Sequence, residues 1–192
     1  MSSSRLEAFS DGVLAIIITI MVITLKIPTG DSLKDLFQVV PSLLAYALSF
    51  TYVAVYWNNH HHLLSAIKTV DSKVLWFNSL WLFFLSLIPW ATDWLSHFYT
   101  SAFPVIAYGF ILFTTAITYF ALQSQVIAVS HKSDLLKKEV GKDIKGKLSL
   151  IIYLISMLVA SFSTTLAILG YYSVALIWFI PDKRIAKVLT TK

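Results

Sequence analysis

Three consecutive histidines, His60, His61 and His62, are the residues of this chain whose types come closest to a metal-binding or proton-transfer site. On a helix, successive side chains lie 100° apart, so the three imidazoles cannot converge on one ion; ligands need a spacing of three or four residues. The sequence contains no cysteine, which excludes disulfides and cysteine-based metal or redox chemistry. We therefore expect no bound metal.

Hydrogen bonding between helices is the other chemistry that these side chains offer, and imidazole also titrates near neutral pH. Ionisable groups at membrane depth are costly unless they are paired or hydrated. Arg5 and Asp11 are thus either headgroup anchors or members of a network that fixes the first helix. We expect one histidine to hydrogen-bond to Asn78, Ser10 or Asp11. The predicted structural polar network comprises Arg5, Ser10, Asp11, His60, His61, His62 and Asn78.

The composition is that of a membrane protein. The chain is 57% hydrophobic and only 13% charged, whereas a soluble domain is about 25% charged. No nucleophile–base pair, phosphate-binding glycine loop or pair of carboxylates is evident in the sequence. We therefore expect an integral membrane protein that is not an enzyme and has no cofactor.

Six apolar segments predict an all-α fold with six transmembrane helices in a single domain, residues 1–192. Pro89 is expected to end the third helix and Gly170 to cap the fifth. The sixth segment crosses the bilayer only if its helix continues beyond Pro181 or if the bilayer thins there. A basic cytoplasmic connector is expected at 130–147. The predicted spans are about 6–25, 36–57, 74–90, 103–126, 148–169 and 171–189.

The basic residues predict the orientation of these helices. Of the 15 Lys and Arg, only Lys26 and Lys34 fall on the side opposite the N-terminus. Cytoplasmic loops carry the excess of positive charge, so both termini are expected in the cytoplasm. The net charge of +5 thus reflects topology and attraction to lipid headgroups, and we expect no nucleic-acid partner.

The first helix is apolar from residue 13 to residue 25 except for Thr19 and Thr24. Ile16, Ile20 and Ile23 lie on one of its faces, with Thr19 beside them. Its other faces are equally apolar. Periodicity alone therefore leaves open whether this isoleucine stripe meets lipid, protein or a pore.

The start of this helix carries the motif R-x-x-x-F-S-D-G, from Arg5 to Gly12, followed by an Ile/Thr-rich span. This pattern resembles the first helix of the transmembrane protein 175 family, potassium-permeable channels of endosomes and lysosomes with shorter prokaryotic forms. The single copy of the motif is similar to the prokaryotic form, which implies location in the cell (inner) membrane.

The resemblance implies a homotetramer in which the first helices surround a central pore. It also implies that Ile16, Ile20 and Ile23 line and gate that pore, with Thr19 next to them. The Thr-Val-Gly-Tyr-Gly filter of ordinary potassium channels is absent from the sequence. The expected function is passive conduction of K⁺ through a hydrophobic constriction, with K⁺, membrane lipid and further copies of the chain as partners.

Two other functions remain open on the sequence. A proton-coupled secondary transporter would use His60–His62 and Asp11 as its relay, but it would need charged groups at the membrane midplane, which the predicted spans lack. A membrane subunit without transport activity is the other alternative.

Overall fold

The computed structural model describes residues 1–130 and 143–179. In these two ranges the chain is helical apart from short connections and an isolated antiparallel bridge between Ser2 and Thr69. The helices are α1 (Ser3–Ile23), α2 (Leu33–Leu64), α3 (Ser72–Ser86), α4 (Ile88–His97), α5 (Ala102–Val129), α6 (Ile144–Val159) and α7 (Thr164–Phe179).

Within the described parts of the chain, four helical runs are long and apolar enough to cross a membrane: α1, α2, the 26-residue run through α3 and α4, and α5. The bounds of α1 and α5 lie within a few residues of the predicted spans. Helix α2 is longer than predicted, because a reciprocal capping box between Ser32 and Asp35 starts it early and it continues to Leu64. The histidine triplet is therefore helical.

Helix α3 ends at Ser86, three residues before Pro89, but the expectation that the third span also ends at Pro89 is wrong, because the membrane-length run is Ser72–His97. Pro89 lies in the first turn of α4, after Leu87, which is both the C-cap of α3 and the N-cap of α4. A proline is tolerated in a first helical turn because its missing N–H would have had no partner there. The helical run therefore continues to His97.

The predicted fifth span, 148–169, is wrong as a continuous helix. Helix α6 ends at Val159 and α7 begins at Thr164, with the side chain of Ser163 accepting the Leu166 backbone N–H at 3.4 Å. A serine before a helix supplies such a cap and favours a new start. The residues of the predicted connector at 131–142 and those of the sixth span at 180–189 lie outside the described ranges.

Gly170 is also not a C-cap, because it lies inside α7. A Cβ built on it would lie 2.1 Å from the Ser156 hydroxyl of α6. Gly109 on α5 lies in a similarly close helix contact, since a Cβ there would lie 2.1 Å from the Tyr171 hydroxyl. These glycines allow helices to approach closely, as small residues commonly do in membrane proteins.

Helix α5 is the central helix of the protomer, in contact with α2, α3, α4, α6 and α7. Buried hydroxyls join these helices: Ser49 lies 2.7 Å from the Thr92 hydroxyl and 2.9 Å from that of Tyr108, and Tyr171 donates to the Val105 carbonyl at 3.0 Å. Helix α1 packs on α2, α3 and α4 at the side of this bundle. The bundle thus supports α1 from one side.

Candidate pore-lining face and its buried anchor

Helix α1 has one buried side and one open side. Its buried residues follow one another at intervals of four, four, three and four, which places them on a single helical face toward α2, α3 and α4. They are Leu6, Ser10, Leu14, Ile17 and Met21. The opposite side meets no other helix among the described residues.

The predicted isoleucine stripe lies on the open side. Ile16, Ile20 and Ile23 are 60%, 45% and 74% exposed, and Thr19 between them is exposed as well. At 100° per residue, the exposed positions of α1 span an arc of about 160°. The structure therefore brings the four predicted positions together on a surface that residues 1–130 and 143–179 leave uncovered.

Thr19 is the hydroxyl on this surface. Its Oγ1 donates to the Ala15 carbonyl at 2.8 Å, which uses its proton within the helix. The oxygen lone pairs remain able to accept a hydrogen bond or to contact a hydrated cation.

The buried side of α1 is anchored by a chain of hydrogen bonds through Asn78 of α3. The Asn78 amide nitrogen donates to Ser10 Oγ at 3.0 Å, and Ser10 in turn donates to the Leu6 carbonyl at 2.9 Å. The Asn78 amide oxygen lies 2.8 Å from His60 Nε2 on α2. Ser10, His60 and Asn78 are each 0% exposed, so water cannot replace these bonds.

This arrangement assigns the tautomer of His60. Because the Asn78 oxygen can only accept, Nε2 of His60 must carry the proton. The ring stacks on Trp81 at a centroid distance of 4.8 Å, and its Nδ1 has no hydrogen-bond partner among the described residues. We refer to Ser10, Asn78 and His60 as the buried triad; it links α1, α2 and α3 at one point.

The other members of the predicted network lie apart from the buried triad. His61 Nδ1 pairs with Glu7 Oε1 at 2.5 Å, and Asp11 accepts a hydrogen bond from Trp57 Nε1 at 3.1 Å. Both pairs join α1 to α2 at the exposed edge of their contact. Sequence reasoning missed Glu7 and Trp57, although Glu7 precedes Asp11 by four residues and so shares its face of the helix.

Among the described residues, the side chains of Arg5 and His62 make no hydrogen bond to the other members of the predicted network. Arg5 is exposed on the open side of α1, near Phe9, and its guanidinium has no bond to a described residue. His62 lines a cavity on another side of α2, because each helical step turns the chain by 100°. Among the residues that the structure describes, no three His, Asp or Glu side chains are placed to hold a metal ion.

This fold and site define an all-helical integral membrane protein. Its first helix is anchored to the bundle on one side and open on the other. The family model described as endosomal/lysosomal potassium channel TMEM175 matches residues 5–89. A potassium channel from Chryseobacterium sp. (strain P1-3) is 47% identical over 98% of both chains. One from Streptomyces collinus is 31% identical over 69% of this chain and 68% of its own length. The chain therefore belongs to the TMEM175 family.

A solved structure shares the fold. The crystal structure of a lysosomal potassium-selective channel TMEM175 homologue from Chamaesiphon minutus superposes with a TM-score of 0.79 over 93% of this chain and 96% of the other, at 24% identity. At 24% identity, this similarity establishes the arrangement of the helices.

Replacing Asn78 by alanine is expected to destabilise the protomer. The Asn78→Ala change leaves Ser10 and His60 buried without a shared partner, so the free energy of unfolding in mixed micelles should fall by about 1–2 kcal/mol. Ser79→Ala is the matched control, because Ser79 is exposed and its hydroxyl bonds only to the Leu75 carbonyl. Equal stability of the two variants in a detergent-unfolding titration would show that the buried triad does not anchor α1.

Proposed function

We propose that the chain forms a homotetrameric channel that conducts potassium passively along the open sides of four α1 helices. The observation that carries this proposal is the exposure of a continuous apolar face on α1, a helix whose opposite side is joined to α2 and α3 through the buried triad. The names of the two bacterial relatives as potassium channels support the choice of ion. Ions moving down a gradient need no cofactor, and we propose no enzymatic activity.

One α1 helix cannot enclose a pore, so a closed symmetric ring of protomers is required. We assign the isoleucine stripe to the central axis. The adjacent edge of the same open side carries Ala8, Gly12 and Ala15, and a Cβ built on Gly12 meets nothing within 4 Å. Small residues at this spacing suit the close approach of a helix from the neighbouring protomer.

The constriction consists of three apolar layers, at Ile16, Ile20 and Ile23. The rise of about 1.5 Å per residue sets them roughly 6 Å and 4.5 Å apart along the axis. A constriction of this kind gates by wetting and dewetting. It offers few oxygen ligands to replace a hydration shell, Thr19 being the nearest, so we propose only modest selectivity for K⁺ over Na⁺.

We propose that the protein lies in the prokaryotic inner membrane with both termini in the cytoplasm, as the distribution of Lys and Arg indicates. The natural absence of cysteine allows a direct test with single substitutions at two exposed residues. In intact cells, a membrane-impermeant maleimide should label Thr29→Cys and should label Ser4→Cys only after permeabilisation. Labelling of Ser4→Cys in intact cells would reverse the orientation.

A polar substitution in the stripe is expected to raise conduction. Ile23→Asn should increase K⁺ flux into proteoliposomes by about tenfold, which corresponds to a barrier lower by about 1.4 kcal/mol, because an amide keeps the constriction wet. Ile155→Asn is the matched control, since Ile155 is also exposed but lies on α6, away from α1.

Both variants should retain the wild-type oligomeric mass of four chains by native mass spectrometry. Flux unchanged in Ile23→Asn, or raised equally in Ile155→Asn, would contradict the assignment of the stripe to the pore. Flux that requires an opposing proton gradient would favour a proton-coupled transporter, and an oligomer other than a tetramer would contradict the proposed assembly.

A further inference from the structure

A cavity of about 210 Å³ lies inside the protomer between α2, α5, α6 and α7. Helix α1 contributes no residue to its lining, so the cavity is separate from the candidate pore-lining face. It lies toward the C-terminal ends of α2 and α5 and the N-terminal end of α6, as the positions of Asn59, Gln123 and Gly146 in its wall show.

The wall of the cavity is mostly apolar and aromatic. The side chains that form it include Tyr52, Val55, Phe120, Tyr153 and Trp178. A dry apolar cavity of about 150 Å³ is large enough to bind benzene. The cavity of this protomer therefore has room for a ring or for a short alkyl chain of about six carbons, and neither a long-chain fatty acid nor a two-chain lipid would fit within it.

Five polar side chains in the lining make no hydrogen bond to a described residue: the Tyr56 hydroxyl, the amides of Asn59 and Gln123, the His62 imidazole and the Lys147 ammonium. Gln123 is only 8% exposed. Buried polar groups are normally hydrogen-bonded, and a few convergent polar groups in an apolar cavity are typical of a ligand site. These groups are thus available to hydrogen-bond a polar head.

The charges at the mouth of the cavity select the sign of that head. Lys147 and Asp143 both line the cavity. Lys147 is exposed, whereas the Asp143 carboxylate is engaged in capping α6, where it accepts the Gly146 N–H at 3.2 Å. An ammonium group with three donors, next to amide and hydroxyl donors, suits a carboxylate. A cationic head would meet Lys147 at close range.

We propose that each protomer binds a short-chain aliphatic carboxylate, of about six carbons, in this cavity. Its carboxylate contacts Lys147, Asn59 and Gln123, and its alkyl chain lies between the aromatic walls near Trp178. This proposal does not depend on the proposed channel activity, because it concerns a separate site and is tested by binding alone.

The experiment measures quenching of tryptophan fluorescence by 6-bromohexanoate in the full-length purified protein in nanodiscs. Bound probe should quench Trp178 in a saturable manner, and this saturable component should disappear in Trp178→Phe. The uncharged methyl ester of the same acid is the control for the head, and it should bind about threefold more weakly because it lacks the charge that contacts the exposed Lys147. Equal saturable quenching by acid and ester would overturn the assignment of the head.

Two neighbouring residues on α5 test the position of the chain. Ala116→Phe fills the cavity and should abolish saturable quenching, whereas Ile117→Phe, on the exposed surface one residue away, should leave it unchanged. Lys147→Gln changes only an exposed head contact and should weaken binding by about threefold, so it tests the site even if Ala116→Phe fails to fold. Quenching that is linear in the probe, or unaffected by Lys147→Gln, would mean partition into lipid only and would overturn the proposal.

Discussion

The amide of Asn78 is the interaction on which the arrangement of α1 depends. It contacts Ser10 on one side and His60 on the other, at 3.0 Å and 2.8 Å, in a place that water does not reach. In an apolar surrounding, a network of polar groups with only half of its hydrogen bonds made is less stable than an apolar core. The three helices are therefore held in the one register that completes the hydrogen bonds. That register determines which side of α1 remains open.

The two sides of α1 therefore have opposite physical roles. The buried side combines the buried triad with close-packed Leu14, Ile17 and Met21, which resists rotation of the helix about its axis. The open side presents isoleucines, whose branched side chains have few rotamers. A rigid helix with stiff side chains suits a narrow constriction of fixed diameter, and the pairs His61–Glu7 and Asp11–Trp57 hold its N-terminal half against α2 at the exposed edge.

The sequence predicted the helical membrane class and the family, because apolar length and the Arg5–Gly12 motif are local signals. It could not choose the face of α1, since all sides of the helix are apolar and only packing against α2, α3 and α4 distinguishes Ile17 from Ile16. The same holds for the histidine triplet: the rotation of α2 in the bundle buries His60 and leaves its neighbours outside the triad. Gly170 was misjudged because a glycine at a helix contact has the same local appearance as a C-cap.

The central claim, that the open side of α1 lines the permeation path, is tested most directly by silver ions acting on single cysteines. The chain has no native cysteine, so Ile16→Cys and the control Leu158→Cys, exposed on α6, report on one position each. The account predicts that Ag⁺ blocks K⁺ flux through Ile16→Cys proteoliposomes and leaves the Leu158→Cys protein unaffected. Undiminished flux in Ile16→Cys, or equal block of both variants, would contradict it.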